Sequence, residues 1–185
     1  MRELRDKLFD SAVKSPNNWD NTLLDELCLK HALTPETLKI VLQRGIESLA
    51  DEFFMRADTD MLHIISDDFH KLPIHLQVSY LLQARLTYMH GNKVVALKIL
   101  NMKTGITYKL NHILEVADLI WQNVKHHSSS FDYYTRRMIL ANVYKNCLFY
   151  FKKDLSAENM MEYMKAQLKI VGQITKLKKK ICKSK

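Results

Sequence analysis

Glycine and proline, the residues that most often end regular structure, number only four and three in this chain of 185 residues. A β-rich fold of that length needs many tight turns, so their scarcity favours long helices joined by short loops. The apolar spacing agrees. Leu4, Leu8, Phe9 and Ala12 predict a first helix that stops before Pro16, and Leu23, Leu24, Leu27 and Cys28 mark a second from about Asp20 to His31. Thr34-Pro35-Glu36 reads as a helix start, with a capping hydroxyl, a proline at the first helical position and an acid facing the positive helix end. Gly45, Pro73, Gly91 and Gly105 punctuate the segments that follow.

The clearest amphipathic pattern is Leu110, Ile113, Leu114, Ala117, Ile120, Trp121 and Val124, spaced to share one helix face. Ser129 or Ser130 opens the next helix, whose stripe is Phe131, Tyr134, Met138, Ala141, Tyr144, Leu148 and Phe151. A last helix starts near Ser156 and carries Met161, Met164, Leu168 and Leu177. The prediction is all-α: about nine helices in one bundle-like domain, with no strand and no internal repeat.

Apolar residues make up 47% of the chain, which is enough for a proper core. The net charge is +8, and residues 176–185 hold six lysines and no acid. Such a segment either attracts a phosphate-bearing surface, lipid or nucleic acid, or is simply a solvated end. Cys28, Cys147 and Cys182 lie far apart, which suits free thiols in a reducing compartment. No stretch of about 18 apolar residues is present, so membrane contact is expected to be peripheral. The opening Met1-Arg2-Glu3-Leu4-Arg5-Asp6-Lys7 resembles neither a signal nor a transit peptide. That favours a bacterial protein at the inner face of the cytoplasmic membrane, while a processed mitochondrial chain on the matrix side would look the same.

No motif for chemistry emerges. The eight histidines show no pair at i, i+4 with a carboxylate partner, so no metal is expected. There is no GxSxG, no activated cysteine and no glycine-rich phosphate loop. The carboxylate pairs Asp25-Glu26, Asp51-Glu52 and Asp67-Asp68 are sequence neighbours that splay apart on a helix, and they read as solvated faces. Neither catalysis nor a cofactor is predicted.

The second and third helices have the outline of a helix-turn-helix, but residues 35–45 offer only Lys39, Gln43 and Arg44 to DNA. Residues 16–36 carry four acids against one lysine, a poor footprint for nucleic acid, and the turn lacks a glycine. Residues 128–137, Ser-Ser-Ser-Phe-Asp-Tyr-Tyr-Thr-Arg-Arg, hold more information. Clustered tyrosine and arginine at a surface suit an interaction hot spot. Equally, the arginines could pair with Asp118 or Asp132 while the tyrosines wedge helices together.

Asp118-Leu119-Ile120-Trp121, followed by the run from Ser130 through Phe131-Asp132-Tyr133-Tyr134-Thr135-Arg136-Arg137 to Tyr144, resembles the signature of the ubiquinone-biosynthesis accessory family. These are the coenzyme-Q-nine proteins of mitochondria and their bacterial relatives, the RpsU-divergently transcribed proteins. Arg2–Leu8, the Trp19 region and Leu33–Glu36 resemble the family's N-terminal part. The chain departs from the common Thr-Asp-Phe-Asn-Trp-Tyr form at Ser130 and Tyr133.

The resemblance implies a TetR-like fold, with a helix-turn-helix-like part at 1–45, a lipid-binding helical body at 46–175 and a basic tail at 176–185. It implies a non-catalytic protein, often a homodimer, that binds isoprenoid quinone intermediates and presents them to a membrane-associated di-iron hydroxylase. The partner patch would comprise Asp118, Ile120, Trp121, Tyr133 and Tyr134. On the stripes expected to face inward, Leu81, Leu82, Ile113, Leu114, Ala117, Met138, Ala141 and Tyr144 would line the lipid site. The alternative is a TetR-type regulator that still binds DNA.

Overall fold

The computed structural model describes the backbone of residues 1–124, 130–153 and 156–183, and the side chains over the same ranges except 130–133 and 172–183. The regular structure of the described residues is helical, as the scarcity of glycine and proline leads one to expect. In order come α1 (Arg2–Lys14), α2 (Asn21–Lys30), α3 (Pro35–Val41), α4 (Ile46–Leu62), α5 (Ile74–Gly91), α6 (Lys93–Leu100), α7 (Ile106–Asn123), α8 (Ser130–Lys153) and α9 (Ala157–Lys183). A 3-10 turn at Phe69–Lys71 lies between α4 and α5. Among the described residues there is no strand.

The start predicted at Thr34-Pro35-Glu36 acts as expected, other side chains cap further helices, and the side chains of Ser129 and Ser130 lie outside the described residues. Asp20 caps α2 by accepting from the Thr22 amide at 3.0 Å. Thr34 caps α3 by accepting from the Thr37 amide at 3.2 Å, with Pro35 at the first helical position. Ser156 accepts from the Asn159 amide at 3.4 Å ahead of α9. These side chains satisfy amide groups that the first helical turn leaves without a partner. Between α2 and α3, where no glycine is available, Ala32 takes the left-handed conformation at φ 49°. Before α4, Gly45 takes φ 57°.

A single apolar core runs from Leu8, Phe9 and Ala12 of α1 through α4, α5 and α7 to Cys147, Phe151, Met160 and Met164 of α8 and α9. The first helix is bolted to this body. Arg5 donates to the Ser48 carbonyl at 2.9 Å, and Arg56 of α4 reaches Asp6 at 3.2 Å and Asp10 at 3.3 Å. The Arg56 guanidinium also lies 4.2 Å from the Phe9 ring centre.

This packing corrects the reading of Asp51-Glu52 as a solvated face. The two carboxylates do splay apart on α4, but both sides of α4 are covered. Glu52 is buried under α1, accepts from Arg56 Nε at 3.0 Å and lies 3.6 Å from Arg5 Nε. Asp51 turns towards α7, where Tyr108 donates to it at 3.0 Å and His112 Nε2 lies 3.1 Å away. Only the tertiary fold decides whether both flanks of one helix are covered.

Candidate functional site

Of the segment singled out by its aromatics and arginines, residues 130–137 open α8. Val116, Ala117 and Ile120 point from α7 into the core, and Val124 is buried just past its end. Trp121, the next residue around the helix, lies on the flank and is half-buried. Its indole N–H donates to the Arg136 carbonyl at 3.3 Å, and the Arg136 guanidinium lies 5.6 Å from its ring centre. Arg137 pairs with Asp118, which also accepts from Gln122 at 2.7 Å. These contacts tie the two helix ends together. Beside them Tyr134 is 69% exposed and Met138 is 60% exposed. An aromatic ring and a flexible thioether held out on a braced helix pair are well suited to contact another molecule.

Both earlier readings of the arginines are therefore partly realised: Arg137 takes Asp118, while Tyr134 stays outside. Of the predicted partner patch, Asp118, Trp121 and Tyr134 lie together at this end. Ile120 does not belong with them, because it is 0% exposed. It is one helical step from Trp121, and that step of about 100° carries it from the flank to the core side. The side chain of Tyr133 lies outside the described residues.

The predicted lipid-lining residues divide in two. Leu81, Leu82, Ala117, Ala141 and Tyr144 come from α5, α7 and α8 and are all buried in the common core. Ile113 is half-buried against it. Leu114 (41% exposed) and Met138 lie on the surface, contrary to their reading as inward positions. The apolar arc of α7 is wider than the strip that its neighbours cover, so its edge, with Leu110 and Leu114, is left in solvent. Clefts lie elsewhere among the described residues. One of about 990 Å³ lies between α2 and α3, lined by Leu24, Cys28, Leu29, Leu33, Leu38 and Leu42 among others. A smaller one of about 200 Å³ lies between α1, α4 and α5 beside Phe9, Phe53 and Tyr88.

Sequence reasoning missed a polar cluster inside the body. Arg85 is 0% exposed at the middle of α5. Its Nη1 donates to the Phe54 carbonyl at 2.8 Å and pairs with Asp58 of α4. Its Nε reaches the Tyr144 hydroxyl of α8 at 3.4 Å. Burial pushes the Asp58 carboxyl above its ordinary range, against the opposing pull of Arg85. Two turns back along α4, burial would raise Asp51, but hydrogen bonds from His112 and Tyr108 and the charge of Arg44 outweigh it and hold that carboxyl below its ordinary value. His112 also faces Glu115 through Nδ1 at 3.3 Å and packs on Phe54 at 4.2 Å. The signal for this cluster was a lone arginine within the apolar stripe of Leu81, Leu82 and Met89.

Among the described residues no group of three or more His, Cys, Asp or Glu side chains is placed to hold a metal ion. No described helix is long and apolar enough to cross a membrane.

Comparison with known proteins places these elements in context. Residues 106–175 match the model of the COQ9 family, a stretch that covers α7, α8 and most of α9. The probable ubiquinone biosynthesis protein coq9, mitochondrial, of Dictyostelium discoideum is 24% identical over 169 residues, covering 85% of this chain and 55% of that protein. The chain thus spans about half the length of this relative. The TetR transcriptional regulator from Nitrosomonas europaea ATCC 19718 superposes with a TM-score of 0.67 at 17% identity, over 92% of this chain and 99% of that one. The resemblance read from the Trp121 and Phe131–Arg137 motifs therefore holds, and the fold is TetR-like.

Proposed function

We propose that this chain is a non-catalytic accessory protein of ubiquinone biosynthesis, which binds isoprenoid quinone intermediates and presents them to a membrane-associated di-iron hydroxylase. The observation that carries this reading is where the COQ9 match falls: residues 106–175 form α7, α8 and most of α9, the elements that hold out Tyr134 and Met138 beside the Trp121–Arg136 brace. A docking surface built on braced helices needs little reordering on binding, which favours affinity. The lipid part of the reading is supported by apolar side chains left in solvent on α7 and α8, Leu110, Leu114 and Met138 among them. In this reading the isoprenoid tail lies along them.

The mitochondrial relative in Dictyostelium supports a mitochondrial location, and in this reading the protein is peripheral on the matrix side. The lysines of residues 176–185 then favour an anionic leaflet, at up to about 1 kcal/mol each. A homodimer is part of the same reading, and size-exclusion chromatography with light scattering tests it.

The deciding experiment is lipid extraction and native mass spectrometry of purified protein, together with capture of the hydroxylase. Co-purified isoprenoid lipid and specific capture are expected. Clean protein that takes up no lipid and captures no hydroxylase would overturn the proposal.

A DNA-binding role has the retained α2–α3 unit in its favour. The surface of that unit is unsuited to it: Leu29 and Ile40 are exposed, and Arg44 is engaged by Asp51. A salt-dependent shift of genomic fragments at physiological salt would favour that role instead.

A further inference from the structure

Helix α5 is apolar on its inner side, and one residue breaks the pattern. Arg85 shares that side with Leu81, Leu82 and Met89 at i−4, i−3 and i+4 and is wholly removed from solvent. Two of its three nitrogens are used. Nη1 is satisfied by Asp58 and the Phe54 carbonyl, and Nε makes a long contact with the Tyr144 hydroxyl at 3.4 Å. Nη2 is buried and has no hydrogen-bond partner. An unmet donor on a charged group is costly in a core, so native folds seldom retain one without a use for it.

The Tyr144 hydroxyl is little better served. It donates to Met89 Sδ at 3.5 Å, and a thioether is a weak acceptor. Two polar groups with spare capacity, one on α5 and one on α8, thus meet among the side chains proposed to line the lipid site.

Charge narrows the ligand. Arg85 is balanced by Asp58, so an anionic group arriving here would leave a net charge in the interior. A neutral oxygen would not. Asp58, partly exposed, marks where the cluster reaches solvent. We propose that Arg85 Nη2, with the Tyr144 hydroxyl, anchors an uncharged carbonyl oxygen on the ring of an otherwise apolar ligand. The proposal rests on the lipid-binding reading above and adds to it a recognition site for the headgroup. An isoprenoid tail contributes apolar contact, whereas this pair distinguishes a ligand bearing a ring oxygen from a plain hydrocarbon.

The test compares two probes of equal tail length, decylubiquinone and decylbenzene, presented in detergent to the full chain and measured by equilibrium binding. Wild-type protein is expected to prefer the quinone by at least about tenfold. Arg85→Lys retains a cation for Asp58 but lacks Nη2, and it should lose most of that preference while binding decylbenzene as before. Tyr144→Phe removes only the hydroxyl and should reduce the preference about threefold. Should Arg85→Lys fail to fold, as judged by its thermal midpoint, Tyr144→Phe decides. Folded variants that keep the wild-type preference overturn the anchor, and Nη2 is then met by a buried water. Wild-type protein that binds both probes equally overturns the anchor while leaving the lipid reading standing. Wild-type protein that binds neither probe overturns the lipid reading and the anchor with it.

Discussion

Replacing Ile120 with glutamate and, separately, Tyr134 with glutamate should give two opposite outcomes, although both residues belong to the motif that suggested a partner surface. Ile120 is wholly buried between α7 and the core, so its replacement forfeits about 2–3 kcal/mol of apolar burial. It also places a carboxyl where it cannot ionise. The folded state must then hold that group protonated, which costs about 1.4 kcal/mol for each pH unit above the ordinary glutamate value near 4.3. At about pH 7 that adds roughly 4 kcal/mol, for a total of about 6. For a chain of this size, a Tm lower by roughly 12–24 °C follows.

The pH dependence identifies the cause. A raised carboxyl pKa in the folded state means that the folded protein binds the extra proton, so the deficit must shrink as pH falls. Between about pH 7 and 5.5 the Ile120→Glu variant should recover about 2 kcal/mol relative to wild type. Tyr134→Glu alters a mostly exposed side chain and should change stability by less than about 0.5 kcal/mol, yet abolish capture of the hydroxylase. The assay pairs thermal melts followed by circular dichroism at several pH values with a pull-down at a temperature where wild type is fully folded. An Ile120→Glu variant that melts with wild type would refute the burial argument. A Tyr134→Glu variant that still captures the hydroxylase would refute the surface assignment.

Ala32 holds a left-handed conformation, costly for any residue with a Cβ, so Ala32→Gly should raise stability by roughly 0.5 kcal/mol once the greater freedom of unfolded glycine is subtracted; a denaturant midpoint below wild type would contradict this. The Cys147 thiol is buried and pushed up to about 12, so maleimide near neutral pH should label Cys28 in the native protein and Cys147 only after unfolding, as peptide mapping will show. Asp51 is held below its ordinary value, so its contribution is present above that value and lost as pH falls through the lower, folded one. Asp51→Asn should therefore cost about 1–2 kcal/mol at neutral pH, and the gap to wild type should narrow on acidification; an unchanged gap near about pH 3 would count against the cluster.

Helix order and boundaries were legible from local chemistry. Thr34 announced its helix because a cap acts within a few residues of itself. The motif around Trp121 and Arg136 was also legible, because a short run of unusual residue types stands out from an amphipathic background. The sides of α7 and α8 were less so. Leu114 and Ala117 obey the same periodicity, yet one is exposed and the other buried. Periodicity gives the angular position of a side chain on its own helix, whereas burial depends on where the neighbouring helices lie.

The same distinction separates the two halves of the functional reading. The sequence alone determined that the chain is helical, that it lacks a recognisable catalytic motif, and that its Phe131–Arg137 segment resembles one family. Each of these rests on interactions within a few turns of helix or on residue identity. Tertiary structure decided that Glu52 is buried and that Ile120 faces the core while Tyr134 faces out. It also decided that Arg85 meets Tyr144 across 59 residues of chain. Contacts of that range form where helices cross, and a crossing is fixed by how all the apolar stripes pack together.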